Sequence, residues 1–284
     1  MDYLVVAPNT PYYHWQLSIL AQSFKVYGLQ ENLCVVLMVD EESPAIGSRY
    51  NHFANLPRLH ALRLKSDPDH DIMRLDGMAF AVENGLVSST FVSIPPHSVL
   101  RYPVQQLNAN FSFNCKPDFT FGHLNSYGIS CEDIVRRLGG RRQWFPVGEV
   151  FGFKTVDQEF FQKARERARL IAFDSYRKSM KEFLDKKVKS LFRAGISISL
   201  LEYYGHQSID TSGNFECQMT DADNSANFVN YSYGSPPDFN KMYFKMDDNL
   251  FGFSDSPFEA IMRAATSPPA DFMKKVLLSM SRPS

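Results

Sequence analysis

The stretch TFVSIPPHSVLRYPV, residues 90–104, ends an apolar run in two prolines and sets His97 and Arg101 just beyond them. Pro95 and Pro96 have no amide N–H to give to a ladder, so the strand that includes Phe91 must stop there. In open α/β sheets the C-terminal strand ends line the ligand crevice, which makes this stretch a candidate site edge without a carboxylate. A second chemical residue is Glu202, in SISLLEYYGHQ, residues 197–207. An acid set among Leu200, Leu201 and Tyr203 is either raised in pKa or paired, and a raised carboxylate suits general-base work. A glutamate on a half-exposed helix is the plain alternative. His14 and His97 rank lower, since a lone histidine more often serves as a structural hydrogen-bonder. RRLGGRRQW groups Arg136, Arg137, Arg141 and Arg142, and in residues 157–193 Lys and Arg outnumber Asp and Glu. Such a surface either contacts phosphates or is a solvated amphipathic face.

The elements that must position these residues follow from the hydrophobic pattern. Tyr3–Asn9 reads as a strand, followed by a helix with Thr10 at the N-cap, Pro11 at its first position and Gly28 past its end. Trp15, Ile19 and Phe24 are among its apolar positions. Leu33–Glu42 reads as a second strand and His60–Lys65 as a third, and Ile72–Asn84 reads as a helix before the Phe91 strand. Further on, residues 157–193 read as helix broken near Asp174, and Asp210–Asn227 reads as a loop. Phe228 then begins another strand, and the tail reads as two short helices split by Pro268 and Pro269. The expected fold is α/β, a Rossmann-like mixed sheet flanked by helices, in a single continuous domain with C-terminal helical additions. No GxGxxG follows the first strand and no GxxxxGK[ST] occurs, so a nucleotide ligand would be held in another way.

The chain has 284 residues, 44% hydrophobic and 21% charged, an ordinary composition for a folded domain. Its formal net charge of −1 gives no global attraction to a polyanion, so such a partner needs a local patch. The four cysteines, Cys34, Cys115, Cys131 and Cys217, form no CxxC pair and read as reduced core thiols. The N-terminal MDYLVVAPNT has no basic region before its short apolar run, and no window approaches the roughly eighteen apolar residues of a membrane span. The expected location is the cytoplasm, with no membrane partner.

Three segments resemble a known family. APNTPYYHWQLSILAQSFKVYG is similar to the opening of the plant hydroxyproline O-arabinosyltransferases and peptidyl-serine galactosyltransferases, whose YxxWQ helix is matched by Tyr12, Trp15 and Gln16. The Phe91 strand, with Pro95, His97, Arg101 and Pro103, resembles their EPDHxFxRP segment. NYSYG, Asn230 to Gly234, and FNK, Phe239 to Lys241, resemble their HYTYG and FDKR. The order is the same and the patches span most of the chain. The resemblance implies a GT-A glycosyltransferase with a nucleotide-sugar donor, a UDP-sugar, held by residues 1–110. Residues 111–284, with a helical insertion at about 157–193, would then hold the acceptor.

Donor contacts implied in this way are Pro8, Asn9, Thr10, Tyr12, Trp15 and Gln16 around the first strand end. Arg74, Asp76 and His97 join them, with Glu149 as a donor-sugar contact and Tyr231 and Tyr233 from the NYSYG segment. The departures from the family pattern are equally specific. The aligned acidic positions of the strand end are Ile94 and Pro96, and the histidine of HYTYG is Asn230. With both halves of the family's metal site changed together, no divalent metal is expected. Either the enzyme is dead or fixed cations stabilise the leaving diphosphate, with Lys241 first and Arg74 and Arg101 behind it. Glu202, in a segment similar to the family's WVLEMY, is the implied base. A cytoplasmic member with clustered arginines points to an acceptor in DNA: the hydroxymethyl group of a modified cytosine in bacteriophage double-stranded DNA, with arabinose as one possible sugar. The alternatives are a small-molecule, glycan or peptide acceptor, and a catalytically dead sugar-nucleotide-binding module.

Overall fold

Tyr3 to Ala7 and Leu33 to Val39 contain no charged residue, the pattern expected of parallel strands covered on both faces. In the computed structural model they form β1 (Asp2–Pro8) and β2 (Leu33–Val39), buried along almost their whole length. The structure describes residues 1–40, 43, 51–63, 70–115, 146–166, 209–210, 214–218, 225–230, 271–273 and 275–276. In chain order the helices are α1 (Pro11–Val26), α2 (Asn51–Ala54) and α3 (His70–Glu83). The remaining strands are β3 (Leu59–Arg63), β4 (Thr90–Ser93), β5 (Ser98–Leu100), β6 (Phe111–Cys115), β7 (Pro146–Lys154), β8 (Ile209–Asp210), β9 (Glu216–Gln218) and β10 (Phe228–Asn230).

Seven strands form one sheet in the order β3-β2-β1-β4-β7-β6-β8. The first four are parallel, with Tyr3 opposite Leu33 and again opposite Val92. β7 then runs antiparallel to both β4 and β6, which makes the sheet mixed. A second sheet of three strands, β5-β10-β9, begins where the prolines end β4. Ser98 lies opposite Asn230 and Leu100 opposite Phe228.

α1 begins and ends as its sequence dictates. Thr10 occupies the N-cap in extended conformation but makes no capping side-chain bond, Pro11 opens the first turn, and Gly28 takes a φ of 65° just beyond the end. Its buried face, including Leu17, Leu20 and Phe24, covers Tyr3, Val5 and Ala7 together with Val99 and Phe228 of the second sheet. The opposite face of β1 presents Leu4 and Val6 to Met73 and Met78 of α3 and to the phenylalanines 91, 111, 151, 153, 160 and 161. Phe153 stands at the centre of these rings, 5.1 Å from Phe91, 5.0 Å from Phe111 and 5.2 Å from Phe161 between centroids.

One expectation needs correction. Asp210–Asn227 is not a continuous loop: Asp210 closes β8, and Glu216–Gln218 is a strand of the second sheet. Its polar residues hide the alternation because the buried carboxylate of Glu216 is satisfied by hydrogen bonds instead of by solvent. Residues 158–166 and the described positions of 271–276 are helical, as read from the sequence. Among the described residues no helix is long and apolar enough to cross a membrane. Cys34 and Cys217 are buried free thiols, and burial pushes the pKa of Cys34 up to about 11.

Candidate functional site

The chain leaves β1 through two backbone bonds. Asn9 N–H donates to Met38 O at 3.0 Å, holding the residue in line with β2, and Thr10 N–H donates to Pro8 O at 3.0 Å, turning the chain into α1. From there Asn9 Oδ1 meets His14 Nε2 at 2.6 Å. Burial lowers the pKa of His14, so at neutral pH the ring is uncharged and Nε2 carries the proton that Asn9 accepts. Gln16 is also buried, and its side-chain oxygen has no hydrogen-bond partner. A buried, unsatisfied acceptor is costly, and one beside a strand end is suited to a ligand donor.

Two bonds fix how α1 lies along β5. Ser23 Oγ accepts the Leu100 N–H at 3.0 Å, and the Tyr27 hydroxyl donates to the Arg101 carbonyl. Seven residues back from Ser23 along the helix is roughly 10 Å, about the length of three extended residues back from Leu100. Gln16 and His97 therefore lie toward the same end of the molecule, the end of Asn9. Arg101 lies at the other end of α1, its guanidinium over the Tyr102 ring. The structure thus separates Arg101 from the strand-end residues with which the sequence grouped it.

On the α3 face, Arg74 Nη2 donates to Ser93 Oγ at 2.9 Å, at the last residue of β4. The guanidinium lies 5.9 Å from the Phe151 ring centroid, so a buried cation stands one residue before Ile94. Asp76, two residues further along α3, pairs with Arg165 at 2.9 Å. That ion pair ties α3 to the helical residues 158–166.

The second sheet closes the strand end from the other side. Ser98 Oγ donates to Asn230 Oδ1, and Asn230 Nδ2 donates to Glu216. The other Glu216 oxygen accepts the Val150 N–H of β7 at 3.1 Å. Glu216 was not among the residues singled out from the sequence. Its three-residue strand is too short for a periodicity, and only its place beside Phe215 and Cys217 hints at burial.

The family resembled in sequence implies a divalent ion at this strand end. Here Ile94, Pro95 and Pro96 are buried and offer no side-chain oxygen, and both ends of the Asn230 amide are engaged. Among the described residues no group of three or more His, Cys, Asp or Glu could hold a metal ion. The described strand end therefore does not fit a hard divalent cation, which needs several oxygen ligands.

Pro8, Asn9, Gln16, Arg74 and His97 lie at or near the C-terminal ends of β1 and β4, Gln16 on the α1 face of the sheet and Arg74 on the α3 face. Thr10 sits at the turn between them and α1. Tyr12 and Trp15 are placed by their backbone on the first turns of α1, and Glu149 on β7. Glu202, Tyr231, Tyr233, Lys241, Arg136, Arg137, Arg141 and Arg142 lie outside the described residues.

The sequence matches no protein-family model and no curated protein. Solved structures do resemble the chain. The galactosyltransferase LgtC in complex with donor and acceptor sugar analogs gives a TM-score of 0.51 at 9% identity, over 100% of this chain and 98% of that one. An active-site mutant of LgtC gives a TM-score of 0.52 at 10% identity over the same shares. Likeness at this identity speaks for architecture. With its mixed seven-stranded sheet, its second three-stranded sheet and helices on both faces, the chain has the GT-A fold.

Proposed function

We propose that the chain is a nucleotide-sugar-dependent glycosyltransferase that inverts the anomeric centre and works without a divalent metal. The observation that carries this reading is the set of buried polar side chains Asn9, His14, Gln16, Arg74 and His97 at or near the ends of β1 and β4, among which the Gln16 side-chain oxygen has no hydrogen-bond partner. A core has no use for so many polar groups, and each must be satisfied or serve a ligand. The donor is a UDP-sugar, with Tyr12 or Trp15 stacking on the base and Gln16 offering its unsatisfied oxygen. Glu149, Tyr231 and Tyr233 line the sugar side.

In the transfer, Glu202 takes the proton of the acceptor hydroxyl as its oxygen bonds to the anomeric carbon. The bond from that carbon to the diphosphate oxygen breaks, and the nucleoside diphosphate leaves with the electron pair. Positive charge at the leaving group comes from Lys241, in the segment after β10, and from Arg74. Fixed cations in a dry site need no reorganisation as the charge develops. The acceptor is the hydroxymethyl group of a modified cytosine in double-stranded DNA, favoured by Arg136, Arg137, Arg141, Arg142 and the basic stretch that follows Asp157. The base would turn out of the stack to reach the site. A small-molecule, glycan or peptide acceptor is the alternative within the same chemistry.

A second reading has one observation in its favour. The buried, apolar Ile94, Pro95 and Pro96 would also suit a module that binds a sugar nucleotide without turning it over. Nucleotide-sugar hydrolysis and transfer, measured with and without hydroxymethylcytosine DNA, separates these readings. The proposal expects nucleoside diphosphate release stimulated by the DNA. Release that responds only to sugars or peptides moves the acceptor, and binding without release identifies the module.

A further inference from the structure

Glu216 is a buried carboxylate whose two oxygens take donors from two different sheets. Oε1 accepts the Val150 N–H, in the peptide between Glu149 and Val150 of β7, and Oε2 accepts Asn230 Nδ2 of β10. β4 and β7 remain paired as far as Ser93 opposite Phe151, so Val150 is the first β7 residue beyond that ladder. In the second sheet Glu216 lies opposite Phe228 and Asn230 opposite Ser98, which puts all four on one face. The carboxylate therefore joins the two sheets where the prolines have ended β4.

We infer that Glu216 is a positioning residue of the candidate site, clamping the Glu149–Val150 peptide and the Asn230 amide in one fixed arrangement; the catalytic part of this inference rests on the glycosyltransferase reading above. With both Glu216 oxygens accepting, Asn230 presents Nδ2 to the carboxylate and Oδ1 to the Ser98 hydroxyl. Each clamped group adjoins a residue assigned to the donor sugar: Glu149 shares the held peptide, and Tyr231 follows Asn230. Where the family resembled here has a histidine, this chain has an asparagine locked into a network that joins two sheets. Misplacing such strand ends by an ångström costs up to about 10²-fold in rate.

The test is a reciprocal exchange. In Glu216→Gln the new amide must turn a donor toward either Val150 N–H or Asn230 Nδ2, unless Asn230 flips out of its native arrangement and takes the Ser98 hydroxyl as its acceptor. Adding Asn230→Asp restores complementarity: the glutamine oxygen keeps the Val150 N–H, its NH2 meets the aspartate, and the aspartate still accepts from Ser98. Amide exchange at Val150, thermal midpoint, and kcat and KM for nucleotide-sugar turnover are read in wild type, Glu216→Gln and the double variant. We expect Glu216→Gln to speed Val150 exchange and lower kcat by about 10²-fold, more than it changes the donor KM, and the double variant to recover both. Unchanged exchange and kcat in Glu216→Gln overturn the inference. So does a double variant that recovers exchange and midpoint but not kcat, which would leave Glu216 a structural residue only. If wild type turns over no nucleotide sugar, the glycosyltransferase reading falls, and Val150 exchange alone still decides whether the clamp exists. Should Glu216→Gln fail to fold, recovery of folding and kcat in the double variant supports the clamp, and a double variant that also fails to fold overturns it.

Discussion

His14 Nε2 lies 2.6 Å from Asn9 Oδ1, so the first residue beyond β1 is tied to the first turn of α1 by a neutral, buried imidazole. Burial holds its folded pKa below the ordinary 6.5. As pH falls below 6.5 the unfolded chain binds a proton that the folded chain does not, so the stability contributed by this site is complete above that value and is lost toward the lower folded pKa. Urea midpoints at about pH 7.5 and 5.5 should show a smaller loss for His14→Gln than for wild type. Equal losses would remove His14 as the cause.

At Gly77 α3 packs directly on Val6 of β1. A Cβ there would meet Val6 Cγ1 at 2.3 Å and Cγ2 at 2.8 Å, and Val6 is buried on a strand paired with Val36 of β2, so its branched side chain has little room to retreat. Gly77→Ala should therefore destabilise by about 1–3 kcal/mol despite its better helix propensity. Adding Val6→Ala should recover part of this, a coupling that denaturant titration of the double-mutant cycle reads directly.

The central strands were legible because they are local. β1, β2 and α1 each announce themselves by an uninterrupted apolar run or by a proline and glycine at their ends, and the structure places them within a residue or two of those marks. In the second sheet the strand starting at Phe228 was legible, and β5 and β9 were not. β9 has three residues with a glutamate in its first position, and β5 has three between His97 and Arg101, so neither is long enough to show a period of two. Asn9, Gln16 and Arg74 could be nominated from sequence, but the separation of Arg101 depends on the register of α1 against β5. Glu216 escaped because its partners, Val150 and Asn230, are far away in sequence.

Arg74 donates to Ser93 at the end of β4, and its proposed service is to the donor diphosphate. Arg74→Lys keeps the charge and loses the fork geometry, whereas Arg74→Ala removes both. Calorimetry with a UDP-sugar should give affinities in the order wild type, Arg74→Lys, Arg74→Ala. Equal affinity for all three in folded protein would take Arg74 out of the site.

If duplex DNA is the acceptor, reversing the charge at Arg141 and Arg142 weakens binding and flattens its salt dependence. Each lost phosphate contact reduces the slope of log K against log salt by about 0.9. An unchanged slope would place the duplex on another surface.

The most direct test of the account is turnover of a nucleotide sugar in excess chelator. A strand end built from Ile94, Pro95 and Pro96, with the Asn230 amide engaged at both ends, provides no set of hard ligands among the described residues. The account predicts that nucleoside diphosphate release persists in chelator and is not raised by added manganese, while Lys241→Ala lowers it by about 10²–10³-fold under both conditions. Release abolished by chelator and restored by manganese would contradict it.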